Sequence, residues 1–215
     1  MAAYRALIFG TEFDPVNCSF FYKVGACRHG EECSRVHHRP LFSQTVLLKN
    51  MYIDPKLIEL TTDGVRYYAN PVEEQEAQEH FENFYEDVYI ECEEKYGEID
   101  TMKVCDNIGK HLNGNVYIKF KRECDAKRAV DDLNNRWFGG KPIYAELSPV
   151  TDFNNACCNK QNTGNCGRQD FCNFLHIKRI SIELARFLFS KRRRRRRLDF
   201  HRFGSRSQRY RRGSW

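Results

Sequence analysis

Two copies of one cysteine and histidine spacing bracket this chain and limit what it can fold into. Cys18, Cys27, Cys33 and His37 read C-x8-C-x5-C-x3-H, and Cys158, Cys166, Cys172 and His176 read C-x7-C-x5-C-x3-H. Each segment places three thiols and one imidazole within about twenty residues. That is too little chain to bury a core, so a tetrahedral zinc ion is the expected organiser of each. Disulfides or scattered thiols would have to reproduce the x5 and x3 intervals twice, each closed by a histidine. The spacing predicts two structural zinc ions with four protein ligands apiece.

The other cysteines and the charge narrow the setting. Of the ten cysteines, Cys92, Cys105 and Cys124 fall in patterned segments and read as small core residues, and Cys157 stands beside Cys158 as an alternative ligand. Met1 to Gly10 lacks a basic and then apolar leader, and no run approaches the ~20 apolar residues of a membrane span. A chain neither secreted nor membrane-embedded is expected, and in a reducing compartment such a cysteine count favours metal. Charge is segregated. From Lys191 to Trp215 twelve Lys or Arg face Asp199 alone, a net of +11, so the preceding body carries −5 of the chain's +6. Between Glu73 and Asp100 twelve acidic side chains face Lys95 alone. Such asymmetry argues for two different partners, although part of the acidity, Glu73 to Glu79 above all, suits a solvated helix face.

Between the clusters lies room for one α+β domain whose pattern reads strand, helix, strand, strand, helix, strand. Val46 to Tyr52 is a strand candidate, and residues 53–72 read as a long loop broken by Pro55, Asp63-Gly64 and Pro71. Phe81, Tyr85, Val88 and Cys92 recur at helical spacing, as do Ala126, Ala129, Val130 and Leu133. Ile99 to Cys105, Asn115 to Phe120 and Ile143 to Leu147 complete the strands. This βαββαβ order is the ferredoxin-like arrangement of RNA-recognition motifs. An RNA-stacking member carries K/R-G-F/Y-G/A-F-V-x-F/Y, whereas this chain reads Asn113-Gly114-Asn115-Val116-Tyr117-Ile118-Lys119-Phe120. Asn115 takes one stacking position and Leu47 another, leaving only Tyr117. The sheet is not expected to grip RNA, and Tyr117→Ala is expected to change RNA binding little.

The second helix exits into Asn135-Arg136-Trp137-Phe138-Gly139-Gly140, where the chain resembles the U2AF-homology motif, an RNA-recognition fold that binds a peptide tryptophan through an Arg-x-Phe loop. The resemblance implies that Phe138 packs against a partner's tryptophan and that Arg136 pairs with a carboxylate on the first helix. Asp87, Glu91 and Glu94 are spaced to share one helical face and to attract a basic peptide. Trp137 is suited to project into a partner, or alternatively to fill the core.

The order of parts extends the likeness. An N-terminal segment (1–12), a CCCH finger (13–42), the RNA-recognition-type domain (43–147), a second finger (148–179), a helix (180–190) and a basic tail (191–215) resemble the small-subunit family of the U2 auxiliary splicing factor. Cys27-Arg28-His29-Gly30-Glu31 and Ala145-Glu146-Leu147-Ser148-Pro149 carry that likeness. It implies a nuclear splicing factor that recognises the AG of the 3′ splice site and pairs with a large subunit bound to the pyrimidine tract. The tail departs from the family's Arg-Ser repeats, with only Ser205-Arg206-Ser207; its arginines would meet phosphates without selecting bases. For RNA contact the fingers offer Phe20 and Phe174 as stacking faces, Arg28 and Arg35 for phosphate or a guanine edge, and Ser34 as a hydroxyl donor. Arg168 and Lys178 could serve similarly in the second finger.

Reading a dinucleotide needs both fingers side by side, and only the central domain can place them so. Ile180, Leu184, Phe187 and Leu188 form a helical stripe capped by Ser181, which could lie over the vacated sheet face or bind a partner. An enzyme is disfavoured, because catalytic zinc keeps an open position and both clusters supply four ligands. The alternative within the binding class is a CCCH regulator of mRNA decay or 3′-end processing, which would not need the Arg136-Trp137-Phe138 loop beside an acidic helix.

Overall fold

The computed structural model describes residues 15–59, 66–68, 72–161, 163–168, 171–188 and 190. They fall into two units, divided between Arg179 and Ile180. Among the described residues no helix is long and apolar enough to cross a membrane. The basic tail, 191–215, lies outside the described residues.

The first unit contains the expected sheet. Strands β1 (Thr45–Leu48), β4 (Ile99–Val104), β5 (Val116–Phe120) and β8 (Ala145–Leu147) pair antiparallel in the order β4-β5-β1-β8. With α2 (Glu74–Lys95) after β1 and α3 (Glu123–Leu133) after β5, this is the ferredoxin-like βαββαβ topology. The segment expected to be a loop after β1 instead contains a short ladder, β2 (Leu57–Glu59) with β3 (Arg66–Tyr68). Three-residue strands give no alternation long enough to recognise. After α3, β6 (Trp137–Phe138) and β7 (Lys141–Pro142) form a tight hairpin. Gly139 and Gly140 turn it with φ of 54° and 76°, the positive-φ pair of a two-residue loop.

The two sheet faces have different occupants. Strand alternation puts Val46, Leu48, Val116, Ile118 and Phe120 together, all fully buried, on the face shared with Phe81, Val88 and Cys92 of α2 and Ala126, Ala129 and Leu133 of α3. Cys92 and Cys105 are core residues as expected, but Cys124 is exposed; it opens α3 beside Asp125, the residue that turns inward. On the opposite face Leu47 and Tyr117, paired across β1 and β5, are equally buried. They pack with Val24 of the first finger and with Ala156 and Leu175 of the second. Within the first unit the cover over the missing stacking platform comes from the fingers; residues 180–190, expected to lie there or to bind a partner, belong to the second unit. Asn115 is spent on the backbone: its Oδ1 accepts from Asn50 N (2.9 Å) and its Nδ2 donates to His111 O (2.9 Å).

In the second unit residues 182–188 are helical, and the Ser181 hydroxyl accepts from Leu184 N at 3.3 Å, satisfying a donor at the first turn.

Candidate metal centres and binding surfaces

In the first finger a two-turn helix and a 3-10 turn bring four distant ligands together. Helix α1 (Ser19–Val24) starts at Cys18, whose Sγ accepts from Phe21 N at 3.5 Å, and Gly30–Glu32 forms the 3-10 turn leading to Cys33. The ligand atoms of Cys18, Cys27, Cys33 and His37 lie within 4.8 Å of one another, and so do those of Cys158, Cys166, Cys172 and His176. Cys27 Sγ to Cys33 Sγ is 3.8 Å and Cys158 Sγ to Cys166 Sγ is 3.7 Å. A tetrahedral ion holding sulfur at ~2.3 Å requires about 3.8 Å between sulfurs, whereas a disulfide requires about 2 Å.

All ten cysteines are free thiols. The His37 ring stacks on Phe21 at 4.4 Å and 7°, and its buried Nε2 has no hydrogen-bond partner, as expected of a nitrogen turned toward a cation. Burial also lowers its pKa, favouring the neutral imidazole that a metal binds. Both clusters fit zinc. Cys157 is outside the second cluster; it packs in the apolar cluster under the sheet.

Buried polar groups from the sheet hold the second finger. Asn107, between β4 and β5, is fully buried. Its Nδ2 donates to Cys172 O (3.0 Å) and Phe174 O (3.1 Å), and its Oδ1 accepts from His176 N (2.9 Å). Residues 175–178 extend along the end of β4, with Asp106 N donating to His176 O and Lys178 N to Val104 O.

Lys178, expected to be free for phosphate, is instead consumed by ion pairs with Asp54 (2.5 Å) and Asp106 (3.6 Å), its side chain only 14% exposed. Burial opposes its charge, but the two carboxylates outweigh burial and hold the ammonium above its usual pKa. Neither Asn107 nor Lys178 shows its role in the sequence, since each partner is far away along the chain.

The candidate RNA contacts lie on adjoining fingers. Phe20 and Phe174 meet edge to face, centroids 5.8 Å apart. A groove of about 310 Å³ beside Phe174 is lined by Tyr22 and Lys23 of α1 and by Thr151, Asp152 and Asn155. Arg28, Ser34 and Arg35 are exposed on the first finger and Arg168 on the second.

The helical side carries a second surface. Arg136 donates to Glu91 (2.8 Å) and to the Tyr96 hydroxyl (3.2 Å). The Tyr96 bond and then Glu91 raise its pKa against the effect of burial. Lys95 and Tyr96 in turn lower that of Asp132. The hairpin is thus pinned to α2. Phe138 sits edge to face with Phe84 at 5.5 Å. Both line a groove of about 690 Å³ with Tyr52, Asp87 and Tyr144. Trp137 is 70% exposed, so it is not a core residue. Glu94 is exposed further along α2.

A βαββαβ sheet whose one face is covered by two CCCH metal clusters defines an RNA-recognition-type domain carrying paired zinc fingers. Accordingly, residues 85–144 match the RNA recognition motif family and residues 13–39 match the zinc finger family of C-x8-C-x5-C-x3-H type and similar. The chain is 61% identical over 194 residues to the splicing factor U2af 38 kDa subunit of Drosophila melanogaster, covering 90% of this chain and 73% of that protein. It is 56% identical over 196 residues to the splicing factor U2AF 26 kDa subunit of Bos taurus (91% and 88% covered), and 52% identical over 188 residues to the U2AF 23 kDa subunit of Schizosaccharomyces pombe (87% and 83%). The chain belongs to the U2AF small-subunit family of splicing factors.

Proposed function

We propose that this protein works in the nucleus as the small subunit of a splicing heterodimer. In this reading two zinc-organised fingers jointly read the AG of the 3′ splice site, and a tryptophan of the large subunit enters the groove beside Phe138. The observation that carries the reading is the contact between Phe20 and Phe174, which makes one continuous surface from two fingers each too small to specify a dinucleotide. Phe20, Arg28, Ser34, Arg35 and Phe174 are assigned to RNA. Phe20→Ala and Phe174→Ala should each weaken binding to UAG-containing single strands by about 1–3 kcal/mol, with scrambled strands affected less. Filter binding or fluorescence anisotropy measures this, and equal losses on both strands would defeat the assignment.

Partner binding is assigned to Asp87, Glu91, Glu94, Arg136, Trp137 and Phe138. An aromatic anchor at an interface commonly costs at least ~2 kcal/mol on truncation, so Trp137→Ala should weaken capture of a basic, tryptophan-containing large-subunit peptide about thirtyfold. Calorimetry giving wild-type affinity for both Trp137→Ala and Phe138→Ala would end this reading. Arg136 would act indirectly, by holding the hairpin to Glu91. A regulator of mRNA decay built on the same fingers has no use for this pinned loop and groove.

A further inference from the structure

Tyr117 occupies the position from which an RNA-recognition sheet would stack a base, yet it is fully buried and reaches both fingers. Its hydroxyl donates to Val24 O at 2.6 Å, a carbonyl at the end of α1 that the helix itself leaves unpaired. Burial raises the phenol pKa well above its usual value, so the donor keeps its proton. The ring meets Phe153, the first residue of α4 (Phe153–Ala156), at 6.1 Å and 79°. This short helix leads directly into Cys158. Gly25, at φ 76°, permits the approach: a Cβ there would lie 2.5 Å from Ser148 Oγ and 3.3 Å from the Tyr117 ring.

We infer that Tyr117 is a positioning residue for RNA selection: without touching RNA, its hydroxyl and ring fix the spacing between the two fingers and hence the preference for a dinucleotide read by both. The inference rests on the reading that the paired fingers select AG. It reverses the expectation that Tyr117 has no part in RNA binding.

The test uses full-length, zinc-loaded protein with a UAG-containing strand and its scrambled counterpart. Tyr117→Phe deletes one hydroxyl and keeps the ring. It should weaken UAG binding roughly three- to tenfold, the range of one lost buried hydrogen bond, with scrambled binding and a zinc content of two per chain unchanged. Ile118→Val trims the neighbouring residue on the helix-covered face and serves as the control for general destabilisation; it should leave the ratio of affinities as in wild type. A wild-type ratio in Tyr117→Phe, or an equal fall in Ile118→Val, overturns the inference while the AG reading stands. Wild-type protein that does not discriminate the strands overturns the AG reading and this inference with it.

Discussion

Cys33→Ala is expected to leave one zinc per chain in place of two and to abolish selective RNA binding. Metal binding supplies ~10–16 kcal/mol to finger peptides of this size at neutral pH. The apolar support available to the first finger is small by comparison, chiefly Phe21 and Val24. Three ligands leave an incomplete tetrahedron, and the burial of Phe21 and Val24 is too little to keep the segment from Cys18 to His37 folded without the metal. Because Val24 packs in one cluster with Leu47 and Tyr117, losing the finger should also uncover the sheet, raising the binding of a hydrophobic dye. Elemental analysis, dye fluorescence and RNA titration on the same preparation read all three effects. Fewer than two zinc ions per wild-type chain, or wild-type RNA binding by Cys33→Ala, would contradict the assignment.

Lys178→Ala should destabilise the protein by about 3–5 kcal/mol, the cost of removing one member of a buried ion pair. Asp54, 6% exposed at its side chain, would be left in a site built for a cation, with Lys56 N donating to it at 2.9 Å. Lys178 Nζ also lies over the Tyr52 and Phe81 rings, 5.7 Å from each centroid. Lys178→Met with Asp54→Asn removes both charges and keeps most of the volume, so it should recover most of the loss. Urea unfolding of both variants makes the comparison; a single variant losing under about 1 kcal/mol would mean that the pair is not desolvated.

What could be read from the sequence was local. Cys18, Cys27, Cys33 and His37 declare themselves because the ligands sit within one short stretch and their intervals repeat. The helices of the central domain declare themselves through a period that Phe81, Tyr85, Val88 and Cys92 keep over three turns. The misreadings are non-local. Lys178 looked like a surface cation because Asp54 stands 124 residues away. The bond from the Tyr117 hydroxyl to Val24 was equally hidden, because the two residues stand 93 apart in the chain. The β2 and β3 ladder was hidden because strands of three residues carry no period. Cys124 and Asp125 show a further limit: at the start of α3 the charged residue is buried and the thiol exposed. Arg122 and Arg128 clamp that carboxylate at 2.8 and 2.9 Å, an arrangement that hydropathy alone would reverse.

The docking of the first finger on a strand far downstream has a consequence for how the chain is made. At roughly 5–20 residues per second, the 93 residues between Val24 and Tyr117 take about 5–20 s to synthesise. For most of that interval the finger has no sheet to rest on, although its last ligand, His37, is synthesised 80 residues ahead of Tyr117. The ligand set is therefore complete before its docking strand exists, and metal capture can precede docking. In a zinc-starved cell the order breaks down: the sheet would be completed with Leu47 and Tyr117 uncovered, presenting an apolar face to chaperones and proteases. Supply of the metal would then govern how much of this protein survives its own synthesis.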